Sequence, residues 1–577
     1  MAAIIADNII SPLGFSSEEN YLALKSSKTA LCHFENGKNI PFPFTASLFS
    51  PEQKQRFIIE GYTTFESLAI QSIKKALKQT SIHLDDRTAL IISSTKANVD
   101  LLTGDDAIEN VLSPGKAAQR IADAISLSTT PVVVCNACIS GVSALILAQR
   151  FLLSGMYDYC IVCGIDIQSP FIISGFQSLK AMSEEECRPF DIERLGLNLG
   201  EAAATVVLSR KKSQSNDRWK ISYGVVRNDA FHITNPSPQG EGCANAIRTV
   251  IQKKKERIES LALINAHGTA TMFNDQMESK AIEASNLTEI PVNALKGYLG
   301  HTMGAAGVIE TILTTKALDD GIILGTKGFE EIGVSGHITL SPDNQLTEKK
   351  DFIKIISGFG GGNAAIHLTC NELAEKTDNK TIETTIKHHI EISDTGVILD
   401  GTRITTHSTG KELLTTLYKD YVGNYPRFYK MDGLAKLGFI AAELLAQAES
   451  GERIDKDKRS VIFFNKYASV HADRAYLKTI SDPENFYPSP SEFVYTLANI
   501  VNGEIAIRHK YKGETCFYVL PDRDEDTISK ITQTAFLDTD IESVLAGWLE
   551  YETDEIFNAN INIISKKNKK WKKSFCN

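Results

Sequence analysis

An α/β protein with buried, mostly parallel strands is the fold class this sequence predicts. Short apolar runs alternate with segments of helical period, and the runs are apolar at successive positions, as in strands covered by helices on both faces. The strand candidates are 89–92, 132–134, 159–162, 261–266 and 352–356; the helical ones between them are 63–78, 140–153, 277–284 and 305–318. A length of 577 residues, with 42% hydrophobic and 23% charged positions, has room for roughly three or four core-forming units and excludes fibrous and disordered classes.

Charge and leader signals narrow the class further. Asp plus Glu outnumber Lys plus Arg by 71 to 61, a net charge of -10, which argues against a nucleic-acid-gripping protein. The opening MAAIIADNIISPLGFSSEEN has no cationic region before its apolar stretch, so no secretion signal is expected and the cytoplasm is the expected location. The apolar stretch 131–148 is interrupted by Asn136, Ser140, Gly141 and Ser143 and reads as buried core rather than a membrane span. Ten cysteines are too few for a disulfide scaffold. Cys135 with Cys138, and Cys160 with Cys163, mimic a zinc ribbon. Their flanks read as strands, where residues three apart face opposite ways, so no metal is expected.

A polar linker is expected at 374–385, after which the pattern restarts. RTALIISSTKANVD (87–100) and RSVIFFNKYASVHAD (459–473) each follow a long amphipathic helix. Each copy then runs through a further helical stretch to an apolar strand, VVV in the first and CFYVL in the second. The first copy continues into Ala137, Cys138, Ile139, Ser140 and Gly141; the second has Pro521, Asp522, Arg523 and Asp524 there. The expected divisions are 1–212 and 213–373 for two halves of one unit, 386–560 for a shortened third copy, and 561–577 for a lysine-rich tail.

Four stretches carry chemistry. Cys138 sits at a strand-to-helix turn, where free N–H groups and the helix dipole favour a thiolate. His267 ends a buried strand, and Thr269, Thr271, Asp275 and Glu278 follow it. His301 lies in LKGYLGHTMGAAG (295–307). GFGGGN (358–363) ends another strand, glycine-rich enough for backbone to approach a ligand, and no Lys-Ser or Lys-Thr follows to make it a phosphate loop.

With RPFD (188–191) and GEAAA (200–204), these motifs in this order closely resemble the β-ketoacyl-acyl carrier protein synthases of the thiolase-like superfamily, over residues 1 to about 372. The resemblance implies a five-layered αβαβα fold, followed here by a carboxy-terminal α/β module resembling half of a ketosynthase. It makes Cys138 the acyl-accepting nucleophile, and His267 and His301 the pair that bind the malonyl thioester carbonyl. Lys296 and Glu278 would orient them. The backbone N–H groups of Cys138 and Phe359 would form an oxyanion hole, with Phe359 as aromatic gate, and Gly358, Gly360, Thr269 and Thr271 would contact substrate. Two histidines mark the elongating type. Ala202, Ala204 and Gly362 depart from the usual pattern, at positions that touch backbone packing.

The implied function is decarboxylative Claisen condensation in fatty acid or polyketide synthesis, with a tilt toward aryl polyene or flexirubin-type chains; the alternative is a non-catalytic chain-length-factor-like subunit. The implied partners are an acyl carrier protein, whose phosphopantetheine arm replaces any bound cofactor, and a second ketosynthase-like chain in a homodimer or heterodimer. A basic patch is expected at the tunnel mouth for the acidic carrier. The module, lacking nucleophile and histidines, would imitate a dimer partner or shape the acyl tunnel.

Overall fold

A computed structural model of the chain describes residues 2–35, 37, 40–103, 110–210, 219–253, 258–371, 382–451 and 454–567. Its strands repeat one five-strand pattern three times. The first set is β1 (Ala2–Ile10), β2 (Thr88–Ser93), β3 (Val132–Val134), β4 (Tyr159–Asp166) and β5 (Ala202–Ser209), paired in the order β3-β2-β4-β5-β1. The second is β6 (Lys220–Asn228), β7 (Leu261–Asn265), β8 (Pro291–Asn293), β9 (Asp351–Gly358) and β10 (Gly362–Thr369), in the equivalent order β8-β7-β9-β10-β6. The third is β11 (Thr384–Ser393), β12 (Arg459–Asn465), β13 (Thr515–Val519), β14 (Ser543–Thr553) and β15 (Ile556–Lys566), ordered β13-β12-β14-β15-β11.

Helices α1 (Thr64–Leu77), α2 (Ser140–Ser154), α3 (Glu241–Lys253), α4 (Met272–Ala284) and α5 (Ala306–Asp319) complete the first two sets. Helices α2 and α5 pack against each other between the two sheets, α1 covers the outside of the first, and α3, with α4 beside it, the outside of the second, giving the five layers. The helix α1 is started by a capping box, Thr63 with Glu66, as its sequence indicates. Ala137–Ser154, which includes α2, is long and apolar enough to cross a membrane, yet 89% of it is buried, as expected of a core helix. Two central helices can touch only where side chains vanish: a Cβ on Gly307 would stand 2.5 Å from the Val142 nitrogen, and one on Gly141 2.9 Å from the Gly304 oxygen.

The third set joins the first edge to edge. Strand β13 pairs antiparallel with β3, Tyr518 opposite Val134 and Val519 opposite Val133, and the Cys135 N–H donates to the Phe517 carbonyl at 3.0 Å. The module therefore occupies, within one chain, the free edge of the first sheet. Buried ion pairs weld the seam: Arg150 with Glu514 at 2.7 Å, Arg227 with Asp538 at 2.6 Å, and Lys96 with Asp473. Among the described residues no second half covers the module, and β15 reflects this: Phe557, Ala559, Ile561 and Ile563 are buried while Asn558, Asn560 and Asn562 on the other face are only half-buried.

Several boundaries move. The helix read at 277–284 starts at Met272, five residues earlier, because Asp275 is drawn in to accept backbone N–H groups of Phe190, Thr269 and Ala270. The stretch after Ser489 forms two helices, Pro490–Tyr495 and Ile500–His509, rather than one. Strand β15 runs to Lys566, taking residues 561–566 from the stretch read as tail, since their alternation is that of a half-buried strand; 568–577 lie outside the described residues. Of the linker 374–385, residues 374–381 also lie outside them, and β11 already begins at Thr384. The module's own helices are α6 (Gly433–Ala448), α7 (Ile500–His509) and α8 (Glu525–Ala535), the last packed on α2.

Candidate active site

The nucleophile turn is held in unfavourable backbone. Ala137, just before Cys138, has φ +49°, and Ala270 and Met303 beside the two histidines have φ +61° and +53°. Such clustering is what a site that fixes reacting groups requires. Helices α2 and α5 both begin without a side-chain cap; the first N–H of each, on Ser140 and Ala306, donates into the 3-10 turn before it, to the Ala137 and Met303 carbonyls.

The structure brings Cys138, His267 and His301 together from three separate motifs. The Cys138 Sγ and one ring nitrogen of each histidine all lie within 4.8 Å of one another, and the two imidazoles meet edge to face at 5.0 Å between centroids. The Met303 N–H donates to His301 Nδ1 at 3.2 Å, which places the proton on Nε2. That Nε2 is buried and has no partner in the protein, so an N–H donor points into the cavity. Of the two CxxC pairs, Cys160 and Cys163 lie fully buried in β4, while Cys138 groups with the two histidines.

Behind the histidines lies a buried charge cluster. Lys296 does not pair with Glu278. It donates to the His267 carbonyl at 2.6 Å and to Glu310 at 2.7 Å, and Lys354 binds the other oxygen of Glu310 and the Ala266 carbonyl. Glu278 instead accepts the N–H groups of His267 and Gly268, at 2.7 and 2.8 Å, and the Asn274 amide at 2.8 Å. Both residues thus position the His267 backbone, from opposite sides. Glu310 and Lys354 were not singled out from sequence, although a lone acid in the apolar run AAGVIETIL needs a buried cation and could have been noticed.

Electrostatics correct one expectation. Burial pushes the Cys138 thiol up to about 12, outweighing the pull of Lys296 and the local backbone, so the resting residue is a thiol and not a thiolate. Burial, and then the charge of Lys296, holds both histidines well below their ordinary 6.5, so both are neutral hydrogen-bond donors. Alkylation of Cys138 by iodoacetamide is accordingly expected to quicken by about tenfold per pH unit from about pH 7 to about pH 10, following the thiolate fraction. A rate already level at neutral pH would show a depressed pKa instead.

A cavity of about 290 Å³ opens on this cluster, lined among others by Cys138, His267, His301, Thr269, Thr271, Gly358 and Phe359. Leu195, Met272 and Phe273 in its lining are exposed, and among the described residues Lys180 is the one lysine or arginine in that lining. Gly358 lies against the nucleophile, since a Cβ there would stand 3.2 Å from the Cys138 nitrogen. Gly360, expected at the substrate, faces the module instead: a Cβ on it would meet Asn499 at 2.7 Å, and Gly503 packs on its Cα. Asn499, which no sequence signal marked, donates to the Phe359 carbonyl at 2.8 Å, and Asn228 donates to the Gly360 carbonyl at 2.8 Å. The catalytic loop is thus braced by the module. Asn499→Ala is expected to lower kcat by about tenfold, with KM little changed and the fold intact, the worth of one positioning hydrogen bond; steady-state kinetics and thermal unfolding check this.

Fold and cluster together define a class, the acyltransferases of the thiolase-like superfamily. The family model described as "Beta-ketoacyl synthase, N-terminal domain" matches residues 48–214, and that for the "C-terminal domain" matches 221–330. Curated relatives include the Rhizobium meliloti 3-oxoacyl-[acyl-carrier-protein] synthase 2, 32% identical over 41% of this chain and 59% of that protein. The Coxiella burnetii protein of the same description is 25% identical over 63% of this chain and 96% of that one. The tetracenomycin polyketide synthase ketoacyl synthase alpha subunit of Streptomyces glaucescens is 31% identical over 40% and 58%. Among solved structures, "PfaC Keto synthase-Chain length factor" superposes with a TM-score of 0.78 at 13% identity, covering 98% of this chain and 78% of that one, a likeness of fold that includes the module. The chain belongs to the β-ketoacyl-acyl carrier protein synthases.

Proposed function

We propose that this synthase elongates an acyl chain held on Cys138 with a malonyl unit brought by an acyl carrier protein, and that it works as a single chain whose module replaces the second subunit. The convergence of Cys138, His267 and His301 within 4.8 Å carries the reading. In the first half-reaction the Cys138 sulfur attacks the acyl thioester of the carrier arm. The new C–S bond forms, the old one breaks, and the thiol proton passes to the departing carrier thiolate. The N–H groups of Cys138 and Phe359 hold the oxyanion.

In the second half-reaction the malonyl thioester carbonyl accepts hydrogen bonds from the neutral histidines. Its C–C bond to the carboxylate breaks, carbon dioxide leaves, and the electron pair forms an enolate on that carbonyl. The enolate carbon attacks the Cys138 thioester, the C–S bond breaks, and the departing thiolate, whose thiol pKa is high, takes a proton from solvent. The arm on the carrier is the only prosthetic group this chemistry calls for. The non-catalytic alternative suits the module better than the first 371 residues, because the loop after β13 offers Pro521 to Asp524 where β3 is followed by Cys138.

Incubation with acyl-carrier protein followed by mass spectrometry tests both parts. An acyl adduct on the Cys138 peptide and a solution mass near 63.4 kDa support the reading. An adduct elsewhere, or activity confined to a species of twice that mass, would overturn the corresponding part.

A further inference from the structure

The first and third strand sets carry a buried acid at the same place. Thr88 pairs with Tyr159 in the first set, and Arg459 with Ser543 in the third. In that register Asp166, the last residue of β4, matches Glu550 in β14, and Thr95 matches Lys466. Each acid accepts a backbone N–H, from Thr95 to Asp166 at 3.1 Å and from Lys466 to Glu550 at 2.7 Å. The difference lies in what else they hold. Asp166 also accepts the Gly304 N–H at 2.7 Å, from the second half of the synthase, whereas Glu550 Oε1 is buried with no partner among the described residues. Burial raises both carboxyls, Glu550 up to about 8 but Asp166 only up to about 6, because hydrogen bonds from Ser94, Gly304 and Thr95 oppose the rise. At pH 7 Asp166 is therefore mostly a carboxylate, an acceptor only.

Gly304 belongs to the turn that sets His301. The turn Met303–Ala305 starts at φ +53° on Met303, a conformation that the surroundings must impose. Gly304 is gripped at both ends: Asp166 takes its N–H, and the Ser93 hydroxyl donates to its carbonyl at 2.8 Å. It has no room to shift sideways, since a Cβ on it would stand 2.7 Å from the Ser94 Cα. Met303, the residue before it, is the one whose N–H makes His301 Nδ1 an acceptor. With Gly304 released, Met303 can relax to negative φ and take its N–H off Nδ1, and the imidazole proton is then free to change nitrogen.

We infer that Asp166 is a positioning residue for His301: by holding the Gly304 N–H it keeps the Met303 turn in place, and so keeps the imidazole proton on Nε2, facing the malonyl carbonyl. The inference rests on the synthase reading above and adds to it a residue that does not line the cavity.

The test compares the full-length wild type with Asp166→Asn, which keeps the size but turns an amide against the donors, and with Glu550→Gln, the matching change where no catalytic turn is held. Three readouts are taken: malonyl-carrier protein decarboxylation, acyl transfer to Cys138 by mass spectrometry, and the nitrogen-15 NMR signals of labelled histidine, with His301 assigned by its loss in His301→Ala. Asp166→Asn is expected to slow decarboxylation by about 10- to 100-fold and to move the His301 signals from one tautomer toward the average of two. Acyl transfer should not slow, because the Asp166 charge pushes the Cys138 thiol up and removing it acts the other way. Glu550→Gln is expected to leave both half-reactions near wild type. If Asp166→Asn does not fold, Ser93→Ala, which frees only the Gly304 carbonyl, should show the same split at smaller size. Decarboxylation at the wild-type rate, equal loss of both half-reactions, or an unchanged His301 tautomer in a folded variant would overturn the inference and leave the synthase reading intact. A folded wild type that neither loads Cys138 nor decarboxylates malonyl-carrier protein would overturn the synthase reading, and this inference with it.

Discussion

A chain ended at residue 371 is expected to yield no folded synthase. Removing the module exposes to water the β3 edge and the apolar core that synthase and module share, and leaves Arg150, Arg227 and Lys96 without Glu514, Asp538 and Asp473. An unpaired edge strand and a large exposed apolar face favour aggregation, and whole domains are stable by only about 5–15 kcal/mol. Circular dichroism and solubility of the truncated chain read the outcome directly, and a folded, monomeric, active fragment would mean that the module is an accessory.

The second large effect concerns His301. Its Nε2–H is fixed by Met303 and aimed at the cavity, so His301→Ala removes a preoriented donor to the enolate. Malonyl decarboxylation and condensation are expected to drop by about 10²–10⁴-fold, while acyl transfer to Cys138, which builds no enolate, is affected far less. Equal loss in both half-reactions would show that His301 serves the thiol instead. Because burial keeps both histidines neutral, the wild-type decarboxylation rate is expected to stay level as pH falls through 6.5, with any loss appearing only at lower pH.

The elements that hold the nucleophile were legible because their residues report their own surroundings. VVVCNACISG is apolar on every face and turns at small residues, which is how a buried strand feeding a central helix must read, and β3 and α2 are found there. The histidines were legible only as members of a set, through motif order. Asn499 and Lys96 could not be read, because each acquires its role across the seam, from residues 140 to 400 positions away. The thiol's protonation was misread for a related reason: a turn and a helix dipole are local and visible, but the depth at which three layers bury the sulfur is not. The repeat between 87–100 and 459–473 did predict the third set of strands, and the structure turns that likeness into the edge pairing of β13 with β3.

The central claim is that Cys138 carries the acyl chain for a condensation that His267 and His301 assist. Its most direct test follows carbon dioxide release and product mass from wild type and Cys138→Ala, with malonyl-carrier protein and acyl-carrier protein as substrates. An elongated β-ketoacyl product from wild type and none from Cys138→Ala is the expected result. Equal product from both, or none from a folded wild type that also fails to form the Cys138 adduct, would contradict it.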